Sequence, residues 1–360
     1  MPDGQPQAPD LAAYLDGLAS LGGALSAVEV LVADPQRIRW RHAAGYRVGG
    51  ERLQAGARFD AASLTKPWMA TLALALAARG ELDLATPLRA IFSRAGAWVG
   101  ETTLEDLLRH RSGIAAWTPL ALRLGKRLDD AEALAAFLLS ESLWSQTGPE
   151  RRELATYSDL GYILWGLATE RATGRTLADL LDLRVTGPLG LAPLGALAGN
   201  PPPEQIVECR LDNWREVELA AEEGLQLSRQ SSFHRGVPQD GNARAIGRLT
   251  GHAGLFCTAD ELLVLGRDWV EPHRLLGRAQ VAQALAGSGP YALGWARQSV
   301  DGSSGPALLP DAFGHTGFAG GSLWMEPSRQ RIVVVLAHRL SSRVEMNPIR
   351  REIHRLAATL

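Results

Sequence analysis

The sequence predicts an α+β fold: an antiparallel sheet built from both chain ends and flanked by helices, with a helix-rich inserted region. Three observations predict it. Strand-like apolar runs lie near the start, at Ala27–Ala33 and Ile38–Ala44, and again near the end, at Gly321–Met325 and Ile332–His338. Between them, residues 80–250 carry mostly helical periodicity broken by loops. The length of 360 residues fits one large composite domain, with 1–80 plus 250–360 as an α/β part and 81–249 as a mostly helical part.

Each element has its own signal. Residues 9–22 place Leu11, Tyr14, Leu15 and Leu18 on one helical face. Asp34-Pro35 supplies turn chemistry between the first two strands, and Gly49-Gly50 closes that ribbon. The Ala/Leu-rich stretch from Leu64 to Ala78 reads as a buried helix stopped at Gly80. Further helices are expected at 103–110, 130–140, 158–173 and 176–185, and Pro201-Pro202-Pro203 is a rigid break. Helices at 259–271 and 278–286, a strand at Ala292–Arg297, a loop at Gly302–Gly305 and a final helix at 348–358 complete the chain.

Composition excludes several function classes. With 37 Lys+Arg against 39 Asp+Glu the net charge is -2, which argues against a nucleic-acid or anionic-membrane coat. The basic stretch 329–355 alternates with Val, Leu and Ile, as a solvated face does. No apolar run reaches the about 18 residues of a transmembrane helix. The first ten residues lack a basic n-region and an apolar h-region, so the expected location is cytoplasmic, without a membrane anchor. Cys209 and Cys257, the two cysteines, have neither metal-type spacing nor a disulfide framework. The eight histidines show no ligand spacing, so neither metal nor cofactor is expected.

Three short motifs carry chemistry. In Ser63-Leu64-Thr65-Lys66 the serine and lysine stand at i and i+3, on one face of the buried helix as it begins. A serine at a helix N-terminus sits in a positive backbone field, and Pro67 costs no hydrogen bond in the first turn. Lys66 and Lys126 are the only lysines; every other basic residue is arginine. A lysine retained at 66 points to amine chemistry, because a desolvated lysine loses its proton and an arginine does not. In Tyr157-Ser158-Asp159 the serine and aspartate suit a helix N-cap, while the phenol could relay a proton to a leaving group. His315-Thr316-Gly317 precedes Phe318-Ala319-Gly320-Gly321, where small residues let a substrate backbone approach closely. The N–H groups of Ser63 and Phe318 would then form an oxyanion hole.

By composition, all three triplets meeting by chance is about a one-in-ten-thousand event. Together, and in this order, they resemble the serine β-lactamase and penicillin-binding-protein superfamily, in particular its class C-like branch of β-lactamases, D-alanyl-D-alanine carboxypeptidases and esterases. Phe59–Lys66, Leu107–Gly113 and Gly251–Phe256 resemble other segments of that branch. The resemblance runs from about residue 10 to residue 355 and implies a β-lactamase/transpeptidase-like fold. It also implies a serine hydrolase with an acyl-enzyme on Ser63, and general acid–base duties shared by Lys66 and Tyr157. Substrate contacts are implied at Asp159, His315, Thr316 and Gly317, and the substrate is a small ester, amide or peptide.

Two positions depart from the branch's usual pattern. His315 stands where lysine is usual and Asp159 where asparagine is usual. A histidine with a reference pKa near 6.5 is mostly neutral at pH 7, so uncharged esters are expected to outrun carboxylate-bearing β-lactams, with a charge change at 315 as pH falls through about 6.5. A D-stereospecific peptidase or a β-lactamase is the enzymatic alternative. A penicillin-recognising sensor or a degenerate binding protein is the non-enzymatic one. His110 and His252 read as hydrogen-bonded structural residues, and Asp240 and Asn242 as loop anchors. Gly287–Ala292 fits a dinucleotide fingerprint only formally, because it follows a helix and precedes a strand. No G-x-S-x-G elbow is present.

Overall fold

A computed structural model describes residues 8–47, 49–144, 155–196, 205–271 and 274–360. Pro201–Pro203 lies outside them. The strands, in chain order, are β1 (Leu25–Ala33), β2 (Ile38–Gly45), β3 (Phe59–Asp60), β4 (Gly195–Ala196), β5 (Cys209–Asp212), β6 (Ser231–His234), β7 (Leu255–Cys257), β8 (Ala296–Arg297), β9 (Phe313–Thr316), β10 (Gly320–Glu326) and β11 (Arg331–Arg339).

Six of them form one antiparallel sheet in the order β2-β1-β11-β10-β9-β8. The N-terminal hairpin thus joins the C-terminal strands through β1 and β11, with Val30 opposite Val335 and Val32 opposite Val333. Every residue of β11 is buried. That explains its near-continuous apolar run, since a strand covered on both faces needs no polar alternation. Successive side chains still point to opposite faces. Val333, Val335 and Ala337 pack with Leu11, Leu15, Ile349 and Ile353 of the two terminal helices, Pro9–Leu18 and Met346–Leu356. Ile332, Val334 and Leu336 face the larger core with Leu64, Trp68, Leu72 and the helical region.

The helix Thr65–Ala78 buries twelve of its side chains, on all faces. A helix apolar all round is a core helix, and this one lies between the sheet and the helical region. Gly294 touches it so closely that a Cβ there would sit 2.1 Å from the Ala70 Cβ.

The structure revises several expected elements. The first helix stops at Leu18 rather than at 22, and the last spans Met346–Leu356. The helix expected at 176–185 is α-helical over Leu177–Leu181 and then widens to a π-turn over Asp182–Thr186. The strand expected at Ala292–Arg297 shrinks to Ala296–Arg297, paired with β9. His315 and Thr316 of the third triplet end a strand the sequence did not delimit, β9, pairing with Leu323 and Ser322 of β10, and Gly317 follows it. The mostly helical middle also holds an antiparallel pair, β5 and β6, joined through the helix Trp214–Glu222. Cys209 and Cys257 are separate buried thiols. No described helix is long and apolar enough to cross a membrane.

Candidate active site

The nucleophile turn is built by β3 and a buried carboxylate. The pairing of β3 with β7 continues as Ala61 N–H donates to Leu255 O at 2.9 Å. Ala62 then takes a φ of 46°, in the left-handed region, which costs an L-residue about 1–2 kcal/mol. Asp60 holds it there: Oδ1 accepts from Ala62 N–H at 2.8 Å and Oδ2 from Gln239 N–H at 2.7 Å. Burial pushes this carboxyl up to about 6 despite the two N–H donors. One residue on, Ser63 is presented at the start of the buried helix.

Two side chains reach the Ser63 hydroxyl. Lys66 Nζ donates to Oγ at 3.0 Å, and Tyr157 OH donates to it at 2.9 Å. Nζ also donates to Asp159 Oδ1 at 2.6 Å and to His252 O at 3.0 Å, so its three hydrogens have three acceptors. Lys66 is fully buried, and its charge is compensated by Asp159, whose side chain is 17% exposed. The apolar surroundings expected for this lysine are therefore replaced by an ion pair and by the Tyr157 and Tyr162 rings, at 4.9 and 5.4 Å from Nζ. Asp159, expected as a substrate contact, faces the cavity and also holds Lys66.

The Tyr157-Ser158-Asp159 triplet meets both of its readings. Ser158 Oγ caps the helix Asp159–Thr173 by accepting from Gly161 N–H at 3.0 Å, and the preceding phenol turns toward Ser63. His110 sets that turn. Its Nδ1 accepts from Ser158 N–H at 3.1 Å, which leaves the ring proton on Nε2, and its ring lies 4.5 Å from that of Tyr157. Burial, then the charge of Asp159, pushes the Tyr157 phenol well above its ordinary range, partly opposed by the bond to Ser63. The resting group is a phenol.

Asp240 lines the cavity and pairs with the buried His252. His252 Nε2 and Asp240 Oδ1 are 2.9 Å apart, and Asp240 caps the helix Gly241–Ile246. Asn242 anchors the segment 118–120, accepting from Leu120 N–H and donating to Thr118 O, both at 3.0 Å. Around Ser63 opens a cavity of about 650 Å³ whose lining includes Trp117, Asp159, Glu216, Asp240, Tyr291 and Arg339. Burial, reinforced by the charge of Asp240, raises Glu216. The sequence does not single out Glu216, Tyr291 and Arg339, because only the folded chain brings them to the site, and it marks Asp60 only as part of the Phe59–Lys66 segment.

The third triplet meets the nucleophile turn backbone to backbone. A Cβ on Gly317 would lie 2.8 Å from Ala61 O, so only glycine fits there. Thr316, Gly317 and Phe318 line the cavity with Ser63. Among the described residues, no backbone acceptor takes the N–H of Ser63 or of Phe318.

His315 is buried, and its Nδ1–H donates to Thr316 O at 2.8 Å. Burial first, and then the nearby Lys66 charge, pushes it down to about 3. The charge change expected near pH 6.5 is therefore corrected: the imidazole stays neutral throughout the working range. Its folded pKa lies below the unfolded one, so the stability from burying it neutral is present above about pH 6.5 and lost as pH falls toward about 3. We predict that the ratio of kcat/KM for an anionic and a neutral ester follows the same course between pH 5 and 8 in wild type and in His315→Gln. A step near pH 6.5 in wild type alone would contradict this.

No group of three or more His, Cys, Asp or Glu among the described residues is placed to hold a metal ion.

The sequence profile of the Beta-lactamase family matches residues 12–358. The chain belongs to the Beta-lactamase family. Its similarity to an N-acetylmuramyl-L-alanine amidase of Bacillus subtilis is 27% identity, covering 89% of this chain and 79% of that protein. Esterase EstB of Burkholderia gladioli is 28% identical, over 74% of this chain and 72% of its own. A crystal structure of a penicillin-binding-protein homologue from Caulobacter crescentus superimposes with a TM-score of 0.71 at 19% identity, covering 98% of each chain. The β-lactamase/transpeptidase-like fold is thus shared over nearly the whole chain. Against the usual pattern of the class C-like branch that the sequence resembles, the chain differs at Asp159, which pairs with Lys66, and at the buried His315.

Proposed function

We propose that the protein is a serine hydrolase that cleaves an ester or amide bond through an acyl-enzyme on Ser63. The observation that carries this reading is the convergence of Lys66 Nζ and Tyr157 OH on the Ser63 hydroxyl, at 3.0 and 2.9 Å, in a cavity large enough for a small substrate. Ser63 Oγ attacks the carbonyl carbon while its proton passes to the Lys66–Tyr157 pair, which accepts it in the form that has first released one proton to solvent, as the Lys66 amine or the Tyr157 phenolate. The pair returns that proton to the leaving oxygen or nitrogen, and a water then repeats the sequence on the acyl-enzyme. The free N–H groups of Ser63 and Phe318 hold the oxyanion. Thr316 and Gly317, at the end of β9, face the substrate backbone.

The amidase and esterase names of the relatives fit acyl transfer of this kind. Charge favours neutral substrates. A substrate carboxylate meets the acidic wall of Asp159, Asp240 and Glu216, and the buried, neutral His315 adds no positive charge behind it. Of the arginines on the cavity wall, Arg339 and Arg350 donate to backbone carbonyls and Arg215 pairs with Glu218 and Glu222. A lysine at 315 would instead offer a charge-assisted bond of about 1.5–3 kcal/mol. We therefore expect a p-nitrophenyl ester of a short neutral acid to show about tenfold or more higher kcat/KM than a chromogenic cephalosporin. A preference for the cephalosporin would replace the esterase reading by the β-lactamase one.

A further inference from the structure

Arg350, on the C-terminal helix Met346–Leu356, had no place in the sequence reading. It is 5% exposed. Its Nη2, with two hydrogens, one of them shared, donates to Gly317 O at 2.9 Å, Gly321 O at 3.0 Å and Gly320 O at 3.1 Å, and Nη1 donates to Asn347 Oδ1 at 3.0 Å. Every one of these acceptors is uncharged. Burying a guanidinium without a carboxylate is costly, and burial together with the neighbouring Arg339 pulls this one down to about 9. A turn that only needed closing could use a neutral donor.

The chemistry of one peptide unit explains the arrangement. Gly317 O and Phe318 N–H belong to the same planar trans amide, so they point in opposite directions. A cation bound to the carbonyl fixes the plane of that amide and aims its N–H away from the guanidinium, within the cavity that Phe318 and Arg350 both line. Hydrogen bonding at the oxygen also polarises the amide, strengthening its N–H as a donor by about 10–30%. The carbonyls of Gly320 and Gly321 tie down the rest of the turn, whose internal bonds run from Gly317 N–H to Gly321 O and from Gly320 N–H to Gly317 O.

We propose that Arg350 is a positioning residue for the oxyanion hole, fixing and polarising the Gly317–Phe318 peptide so that the Phe318 N–H meets the developing oxyanion. This rests on the acyl-enzyme reading above, with Phe318 as an oxyanion donor.

The test uses Arg350→Lys and Arg350→Met on the full chain with a neutral p-nitrophenyl ester, so that no substrate charge can meet the arginine directly. Active sites are counted by fluorophosphonate labelling, and the acylation rate per labelled site and the substrate dissociation constant come from burst kinetics. Removing one oxyanion donor costs about 10²–10³-fold in rate. Misaligning it should therefore slow acylation by about 10–100-fold, with substrate affinity changed less than about threefold. Affinity for a neutral boronic acid, which forms a tetrahedral anionic adduct, should fall in step with the acylation rate. A merely structural role would lower the number of labelled sites or the Tm and leave the rate per site alone.

Rates per site within about threefold of wild type in both variants would overturn the proposal. So would failure of both variants to fold, which would make Arg350 a clamp for the fold. A wild type that is not acylated on Ser63 would overturn the acyl-enzyme reading itself. A wild type acylated on Ser63 beside variants of unchanged rate would overturn only the role of Arg350.

Discussion

Ser63→Ala should abolish turnover, with a loss on the order of 10⁶ in kcat, the scale seen when a serine hydrolase loses its nucleophile. The fold should survive. The hydroxyl contributes two hydrogen bonds and little packing, since Ser63 is half-buried at the cavity mouth. Its removal leaves Lys66 with Asp159 and His252 O as acceptors, while Tyr157 loses the acceptor of its O–H. One lost buried hydrogen bond costs about 1–3 kcal/mol, which is a Tm decrease of a few degrees for a chain of this size. Steady-state assays and thermal melts on the same preparation check both halves. Turnover within about tenfold of wild type in a well-folded Ser63→Ala would place the chemistry elsewhere.

The second large effect is at Lys66. Lys66→Arg does not separate a base from a structural cation: Nζ is fully buried with three acceptors at 2.6–3.0 Å, and a longer planar guanidinium has no room. Lys66→Met is the better change, keeping the length and losing the amine. It leaves the Asp159 carboxylate without its partner, so it should destabilise the fold, and breaking a fully buried pair costs about 3–5 kcal/mol. With Asp159 17% exposed, the lower end of that range applies. Adding Asp159→Asn removes the orphaned charge and should restore most of the Tm. Activity should stay down by about 10²–10⁴-fold in both single and double variants, the usual contribution of general acid–base catalysis. Recovery of turnover in the double variant would reduce Lys66 to the counter-charge of Asp159.

What was legible in the sequence follows from how far each signal reaches along the chain. β1, β10 and β11 announced themselves because strands covered on both faces are apolar throughout. The Ser63 helix did so because it is buried all round. β9 was missed because four residues, two of them Gly314 and His315, show neither alternation nor an apolar run. The β5–β6 pair was missed because β6 is exposed along its whole length and shows no buried face. At the site, Ser63 and Lys66 were readable as neighbours by helical spacing. Tyr157 was readable only through its motif, since 94 residues separate it from the hydroxyl it touches. The surroundings that set charge were not readable. Burial turns His315 from a titrating group near pH 6.5 into a neutral one, and the partnership of Asp159 with Lys66 spans 93 residues. Arg350 shows the same limit, because nothing in Asn347-Pro348-Ile349-Arg350 tells which carbonyls its guanidinium will meet.

The central claim is that a covalent acyl-enzyme forms on Ser63, and trapping it is the direct measurement. The protein is mixed with a p-nitrophenyl ester, quenched in acid within the first turnovers, and its intact mass and peptide masses are read. The account predicts a mass increase equal to one acyl group per chain, carried by the peptide containing Ser63 and absent from Ser63→Ala. An adduct on another residue, an adduct that persists in Ser63→Ala, or rapid ester turnover with no adduct at any quench time would contradict it.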